Sequence, residues 1–249
     1  MKRAQVMVEV DHAAVGRRAA RLVDEAIRTT PGIVLALPTG GTPIPMYAAL
    51  VRLHGERGTD WSRVTTFNLD EYLGVGPDHP ESYARYMDEH LFSVVGSPEG
   101  RRRLPDGMAP DPDVECERYE RAIEQAGGID VAVVGVGVNG HVGFNEPGEA
   151  LTARTHVALL APETWERNHP ALARDRGRFS PEAPFARAYT MGIGTILQAR
   201  RIVLIAAGEG KREVVRAALT GPVTTQNPAS LLRLHRELTV VLDRAASFA

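Results

Sequence analysis

The sequence predicts an α/β fold with a mostly parallel central sheet and helices on both faces, and three observations lead there. Short β-branched apolar runs alternate along the chain with stretches of helical apolar spacing, the pattern of strand–helix–strand units. Several of the runs, such as 32–37 and 129–134, are almost continuously apolar, as strands covered on both faces must be. Glycine-rich loops follow these runs, where an open parallel sheet gathers its ligand-binding groups.

The elements follow in order. Residues 5–10 read as a strand, and 12–28 as a helix with an Ala/Val/Leu face. Residues 32–37 are β-rich, 43–53 helical, and 64–69 a strand leading into a loop with Gly74, Gly76, Pro77 and Pro80. Helical spacing returns at 81–92 and 114–126, with a strand at 129–134. Residues 188–191, 201–206 and 238–242 are further strands, and 211–219 and 229–234 further helices. The segment 163–187 is polar and arginine-rich and carries Pro170, Pro181 and Pro184, which mark it as a lid or surface excursion. There is no repeat or low-complexity tract, so residues 1–249 are expected to form one domain, long enough to bury a full core.

Composition narrows the function. A net charge of −2 supplies no basic field for nucleic acid. The single Cys116 rules out an internal disulfide framework and suits a reducing compartment. No apolar run approaches the ~20 residues of a membrane span, and no signal peptide opens the chain, so a cytoplasmic protein with no membrane partner is expected. Of 29 basic residues only Lys2 and Lys211 are lysine. In a chain so biased toward arginine, Lys211 is an exception that asks for a reason.

Four loops carry the chemistry. Thr39-Gly40-Gly41-Thr42-Pro43 joins a strand to a helix, with Thr42 suited to the N-cap and Pro43 to the first helical position; free amides at such a helix start bind anions, phosphate above all. Gly208-Glu209-Gly210-Lys211 repeats the arrangement and adds an ammonium for the same anion. Asn68-Leu69-Asp70-Glu71-Tyr72 ends an apolar strand with two carboxylates; neighbours on an extended chain point to opposite faces, so at most one can address a site. Residues 135–147 deliver His141 and Glu146 on a glycine loop, a plan for acid–base chemistry on a small polar molecule, although a histidine taken alone is more often a satisfied structural group. Gly135, Gly137 and Gly140 also fit the dinucleotide fingerprint. That reading fails because Asn145-Glu146-Pro147-Gly148 is a poor helix start and Glu163 lies too late for the ribose acid. No second histidine stands at ligand spacing on this loop, so no metal is expected.

Four motifs in register, Leu37 to Pro43, Thr66 to Tyr72, His79-Pro80-Glu81-Ser82-Tyr83 and Asn139 to Pro147, resemble the glucosamine-6-phosphate deaminase family over about residues 5–243. The resemblance implies a single-domain, Rossmann-like fold and a cofactor-free, metal-free conversion of an amino-sugar phosphate to a ketose phosphate and ammonia. It assigns ring opening to His141, oriented by Glu146 with Asn139 beside it, and C2-to-C1 proton transfer to Asp70. It gives phosphate binding to Thr39, Gly40, Gly41, Thr42, Lys211 and a lid arginine, for which Gly177-Arg178-Phe179 fits best and Arg167 is the rival. Asn139 stands where many members carry a second carboxylate, leaving Glu146 as the charged partner of His141. The galactosamine epimer as substrate, a 6-phosphogluconolactonase and a sugar-phosphate sensor are the other readings, and a homo-oligomer is compatible with the sequence. The histidine loop runs Val-Gly-Phe-Asn-Glu-Pro, unlike the lactonase Thr-Ala-Ser-Leu-Phe, and no basic DNA-reading module precedes the first strand.

Allosteric members bind N-acetylglucosamine 6-phosphate through a Ser-Ser pair and an Arg-x-Lys pair, where this chain has Glu149-Ala150 and His156-Val157-Ala158. Glu149 repels a phosphate and both cations are missing or weakened. Initial rates are therefore expected to follow a hyperbola in substrate concentration, unaffected by that sugar. A sigmoidal curve that the sugar abolishes overturns this.

Overall fold

The computed structural model describes residues 4–176 and 179–248. Ten strands and nine α-helices occur among them: β1 (Gln5–Glu9), α1 (His12–Thr29), β2 (Val34–Leu37), α2 (Ile44–Arg57), β3 (Thr65–Asn68), β4 (Asp70–Tyr72), α3 (Tyr83–Met87), α4 (Ser93–Val95), β5 (Arg102–Arg103), α5 (Pro112–Gln125), β6 (Val131–Val134), β7 (His156–Leu159), α6 (Pro162–Asn168), α7 (Pro170–Arg176), β8 (Arg187–Thr190), α8 (Ile193–Leu197), β9 (Arg201–Ala206), α9 (Arg212–Thr220) and β10 (Leu238–Asp243). Seven strands form the main sheet in the order β1-β10-β9-β6-β2-β3-β5, and every pairing in it is parallel.

The two faces of this sheet are divided by the alternation of each strand. In β2, Leu35 and Leu37 join Val131, Val133, Val203 and Ile205 against α1 and α2, through residues such as Val15, Val23, Met46 and Leu50. Val34 and Ala36 point the other way, packing with Ala132, Val134 and Leu204 against Tyr119 and Ile123 of α5, Ile196 of α8 and Val215 of α9. Burial on both faces explains why these strands read as unbroken apolar runs. Asp11 starts α1 by accepting a hydrogen bond from Ala14 N at 2.7 Å, and Gly58 ends α2 in the left-handed region at φ 64°.

The structure departs from the sequence expectations in four places. Residues 188–191 were expected in the parallel sheet; β8 instead pairs antiparallel with β4 and β7 in a separate three-stranded sheet. β4, β5 and β7 have no apolar alternation to announce them, because β4 is Asp-Glu-Tyr, β5 is Arg-Arg and β7 is half-exposed. The helix expected over 81–92 divides into α3, a π-helical turn at Asp88–Phe92 and α4. Residues 228–234 form a 3-10 helix, as does Glu209–Lys211 just before α9.

The polar segment 163–187 is more ordered than its composition suggests. Trp165 of α6 is fully buried and, with Leu160, Phe144, Tyr72 and Ala188, makes a third apolar cluster that ties the lid to the small sheet. Its indole N–H donates to Pro184 O at 2.7 Å. No helix among the described residues is long and apolar enough to cross a membrane.

The close approach of α1 and α2 depends on Gly16. A Cβ there would lie 2.5 Å from the Pro45 carbonyl carbon and 2.7 Å from Met46 N, both backbone atoms that cannot turn aside. Gly16→Ala is expected to cost about 2 kcal/mol, or roughly 4–8 °C in a thermal melt of a chain this size, despite the better helix propensity of alanine. An unchanged or raised melting temperature refutes the close-packing account.

Candidate active site

The four chemistry-bearing loops leave the carboxyl ends of β2, β3, β6 and β9, which are contiguous in the sheet order β9-β6-β2-β3. The chain runs outward in opposite directions from β2 and β6, so a crevice opens between them. A cleft of about 470 Å³ occupies this edge, lined by residues of all four loops and of α6. A larger hollow of about 780 Å³ lies elsewhere, around Phe67, Arg103 and Arg118. It holds no histidine or carboxylate, so the smaller cleft has the means for acid–base chemistry.

Alternate carbonyls along residues 38–42 are held by side chains, which favours the loop amides as the groups it offers. Pro38 O accepts from Tyr47 Oη, Gly40 O from Tyr86 Oη at 2.7 Å, and Thr42 O bonds His12 Nε2 at 2.8 Å. Gly40 takes φ +96°, which a side chain would strain. Pro43 occupies the N-cap of α2, with Pro45 in its first turn; the expected Thr42 cap is absent because Pro43 already has α-region dihedrals. Amides at a helix start with their carbonyls turned away suit an anion.

Asp70 and Glu71 part ways as the strand alternation demands. Asp70 lines the cleft, is 6% exposed, and receives a 3.3 Å hydrogen bond from Thr39 Oγ1. Burial, reinforced by the nearby Glu71 charge and opposed by the Thr39 bond, pushes its pKa up to about 7. Glu71 turns inward and accepts from Tyr72 N at 2.9 Å, Tyr83 N at 3.1 Å, Ala84 N at 3.0 Å and Ser82 Oγ at 2.9 Å. It thereby serves the orphan amides that open α3. Burial still leaves its pKa above the usual carboxylate value despite those bonds.

His141 also lines the cleft, lying against the backbone of Gly137, where any side chain would overlap the imidazole. Its Nδ1 is 3.4 Å from Glu146 Oε2 and 3.2 Å from Thr164 Oγ1, which leaves Nε2 for a ligand. Burial pushes the Glu146 pKa up, but hydrogen bonds and charge from His141, with bonds from Thr164 and Asn139, outweigh it, so the group lies below its ordinary value. Asn139 Nδ2 donates to Glu146 Oε2 at 2.7 Å and to Glu163 Oε1 at 3.3 Å, and Asn139 Oδ1 accepts from His141 N at 3.2 Å. Asn139 thus braces the carboxylate and the loop backbone rather than the imidazole ring.

Two cations face the same cleft. Lys211 donates from Nζ to Val136 O at 2.6 Å; burial, and then the positive charge of Arg167, push its pKa down to about 8. Arg167, at the end of α6, lines the cleft as well, while Arg178 lies outside the described residues. A partly desolvated lysine with an arginine charge close by, beside the amides of a helix start, creates a demand for an anion. His12, Tyr83, Thr164 and Asn168 also line the cleft, and sequence reasoning assigned none of them. Tyr83 sat inside a quoted motif; the others carry no local signal, since they arrive from a helix start and from the lid.

Fold and cleft together define a class, an open parallel α/β protein with an anion-accepting, acid–base crevice beyond its strand ends. The chain belongs to the glucosamine-6-phosphate isomerase/6-phosphogluconolactonase family, whose profile matches residues 9–241. It is 39% identical over 243 residues to the glucosamine-6-phosphate deaminase of Thermoanaerobacter sp. (strain X514), covering 98% of this chain and 94% of that protein. The glucosamine-6-phosphate deaminase of Halothermothrix orenii is 42% identical over 245 residues, 98% of each chain. A solved monomeric glucosamine-6-phosphate deaminase superposes with a TM-score of 0.90 at 40% identity, covering 97% of this chain and 98% of that one. The 6-phosphogluconolactonase from Trypanosoma cruzi, at 20% identity and a TM-score of 0.77 over 99% of this chain and 97% of that one, shares the fold.

The Asp70 environment has a thermodynamic consequence. Unfolded, the carboxyl ionises near 3.8; folded, near 7. Between those values the native state holds a proton that the unfolded chain has lost, so this group's contribution falls as pH rises from about 4 to about 7. At about 1.4 kcal/mol per unit the loss amounts to at most roughly 4 kcal/mol. Asp70→Asn is therefore expected to resist urea better than the wild type at pH 8 and to match it near pH 4. The same difference at both pH values contradicts the burial of a neutral acid.

Proposed function

We propose that this chain is a glucosamine-6-phosphate deaminase, converting glucosamine 6-phosphate and water to fructose 6-phosphate and ammonia. The observation that carries the reading is a buried carboxyl of raised pKa, Asp70, in one cleft with an imidazole braced by a carboxylate. Relatives named for this activity at about 40% identity over nearly the whole chain support it.

The sugar phosphate is anchored by the amides of Gly40, Gly41 and Thr42, the Thr39 side of that loop, Lys211 and Arg167. A bound dianion offsets the repulsion between the two cations and raises the Lys211 pKa from about 8. His141 Nε2 moves the proton from the anomeric hydroxyl to the ring oxygen, and the pyranose opens. Glu146 steadies the transient imidazolium through Nδ1, with Asn139 holding that carboxylate in place. Ionised Asp70 removes the proton from C2 of the open aldose, the electron pair forms an enolamine, and the proton returns to C1. The imine of fructose 6-phosphate remains; water adds at C2 and the carbon–nitrogen bond breaks, releasing ammonia. A base of pKa near 7 is matched to a proton it must both take and give back at neutral pH. No step calls for a metal or a cofactor.

Ammonia release from glucosamine 6-phosphate, assayed beside galactosamine 6-phosphate and 6-phosphogluconolactone, tests the reading, and turnover of the lactone alone overturns it. Within that assay Lys211→Ala is expected to raise KM about 10- to 100-fold, the equivalent of about 1.4 to 2.7 kcal/mol from one charge-assisted contact, with a smaller change in kcat. An unaltered KM removes Lys211 from the anion site.

A further inference from the structure

The lid meets the strand that carries Asp70 at one buried hydroxyl. Tyr72 lies two residues beyond Asp70 on β4, hence on the same face, and is 1% exposed. Its Oη accepts from Tyr83 Oη at 3.0 Å and from Asn168 Nδ2 at 3.3 Å, and lies 3.1 Å from His169 Nε2. With both lone pairs engaged, the hydroxyl has its own proton left for His169, so Nε2 is the acceptor and the ring proton sits on Nδ1. That nitrogen faces Glu81 Oε2 at 3.5 Å.

The surroundings hold this tautomer. His169 is 5% exposed, stacks on Phe185 at 4.6 Å between centroids and packs against Tyr72 and Trp165. Burial disfavours its charged form and pushes its pKa below the usual value, against the pull of Glu81. His169 is also the junction between α6 and α7, and the two residues before it, Arg167 and Asn168, line the cleft. Tyr83, the other partner of the hydroxyl, lines it too. One hydroxyl therefore joins the proton-transfer strand, the α3 start and the lid.

We propose that Tyr72, His169 and Glu81 are positioning residues, a latch that fastens the α6–α7 junction to β4 so that Arg167 faces the anion end of the cleft. The role in turnover rests on the deaminase reading; the latch itself rests on contacts that are independent of it. None of the three lines the cleft. Their effect runs through Arg167 and Asn168, so loss of the latch weakens anion binding and leaves proton transfer at Asp70 in place.

Tyr72→Phe tests this, because it keeps the ring against Phe144, Phe185 and Tyr83 and removes only the hydroxyl. KM for glucosamine 6-phosphate is expected to rise about 10-fold with kcat within about twofold of wild type. A second readout needs no turnover: Trp165 fluorescence is titrated with inorganic phosphate in a Trp61→Phe background, which leaves Trp165 as the single tryptophan. The half-saturating phosphate concentration is expected to rise about 10-fold in Tyr72→Phe. Absence of ammonia release alongside that shift removes the deaminase reading and retains the latch. A wild-type lid that does not respond to phosphate, an unshifted midpoint, or a fall in kcat at constant KM overturns the latch. If Tyr72→Phe does not fold, Glu81→Gln, at a half-exposed position, carries the same test with an expected shift of about threefold in the same direction.

Discussion

Adjacent residues on a strand face opposite ways, and the cleft depends on this constraint acting on two neighbouring carboxylates. Glu71 is drawn inward by four donors, three of them backbone amides at 72, 83 and 84, so β4 cannot rotate without stripping a buried charge of its partners. Asp70 is thereby forced toward the cleft. Among the described residues it receives only the Thr39 hydroxyl in return for its desolvation, and the difference between the two environments leaves one carboxyl structural and the other with a pKa of about 7. A pair of like groups separated by environment in this way is a recurrent means of assigning acid–base roles.

The rest of the crevice complements that proton-carrying end. Three carbonyls of the 38–42 loop, those of Pro38, Gly40 and Thr42, are tied back by Tyr47, Tyr86 and His12, which shifts the polarity the loop offers toward its amides. Lys211 is stationed against the Val136 carbonyl and shares its surroundings with Arg167. Lys211 and Arg167 therefore share one cleft with the His141 imidazole and the Asp70 carboxyl, the arrangement on which the proposed anion and proton-transfer roles rest. On the proposed reading, this polarity would orient a small phosphorylated substrate before any chemistry begins.

Relatives in the family are named for two chemistries, and the fold does not separate them: a 6-phosphogluconolactonase at 20% identity superposes over 99% of the chain. The distinction rests on the site. Lactone hydrolysis has no use for a buried base that removes a carbon-bound proton, whereas deamination of an amino sugar requires one. Asp70 and the deaminase relatives at about 40% identity point the same way.

The sequence was informative wherever the physics is local. Periodicity located six of the seven strands of the main sheet to within a residue or two at most ends and missed the two-residue β5, because burial on both faces writes unbroken apolar runs into β2, β6 and β9 but not into Arg102–Arg103. Glycine loops after those strands marked the anion site, the His141 loop and the Lys211 turn, since backbone approach and positive φ demand glycine at 40, 140 and 208 whatever the surroundings. Alternation alone foretold that one of Asp70 and Glu71 would be excluded from the site. The rest is set by contacts between residues far apart in the chain, whose energies leave no local pattern: which carboxylate was excluded depends on amides that α3 brings from residues 83 and 84. Asn139 bracing Glu146, Arg167 meeting Lys211, β8 leaving the parallel sheet and the Tyr72 hydroxyl joining the lid were likewise decided only when the chain closed on itself.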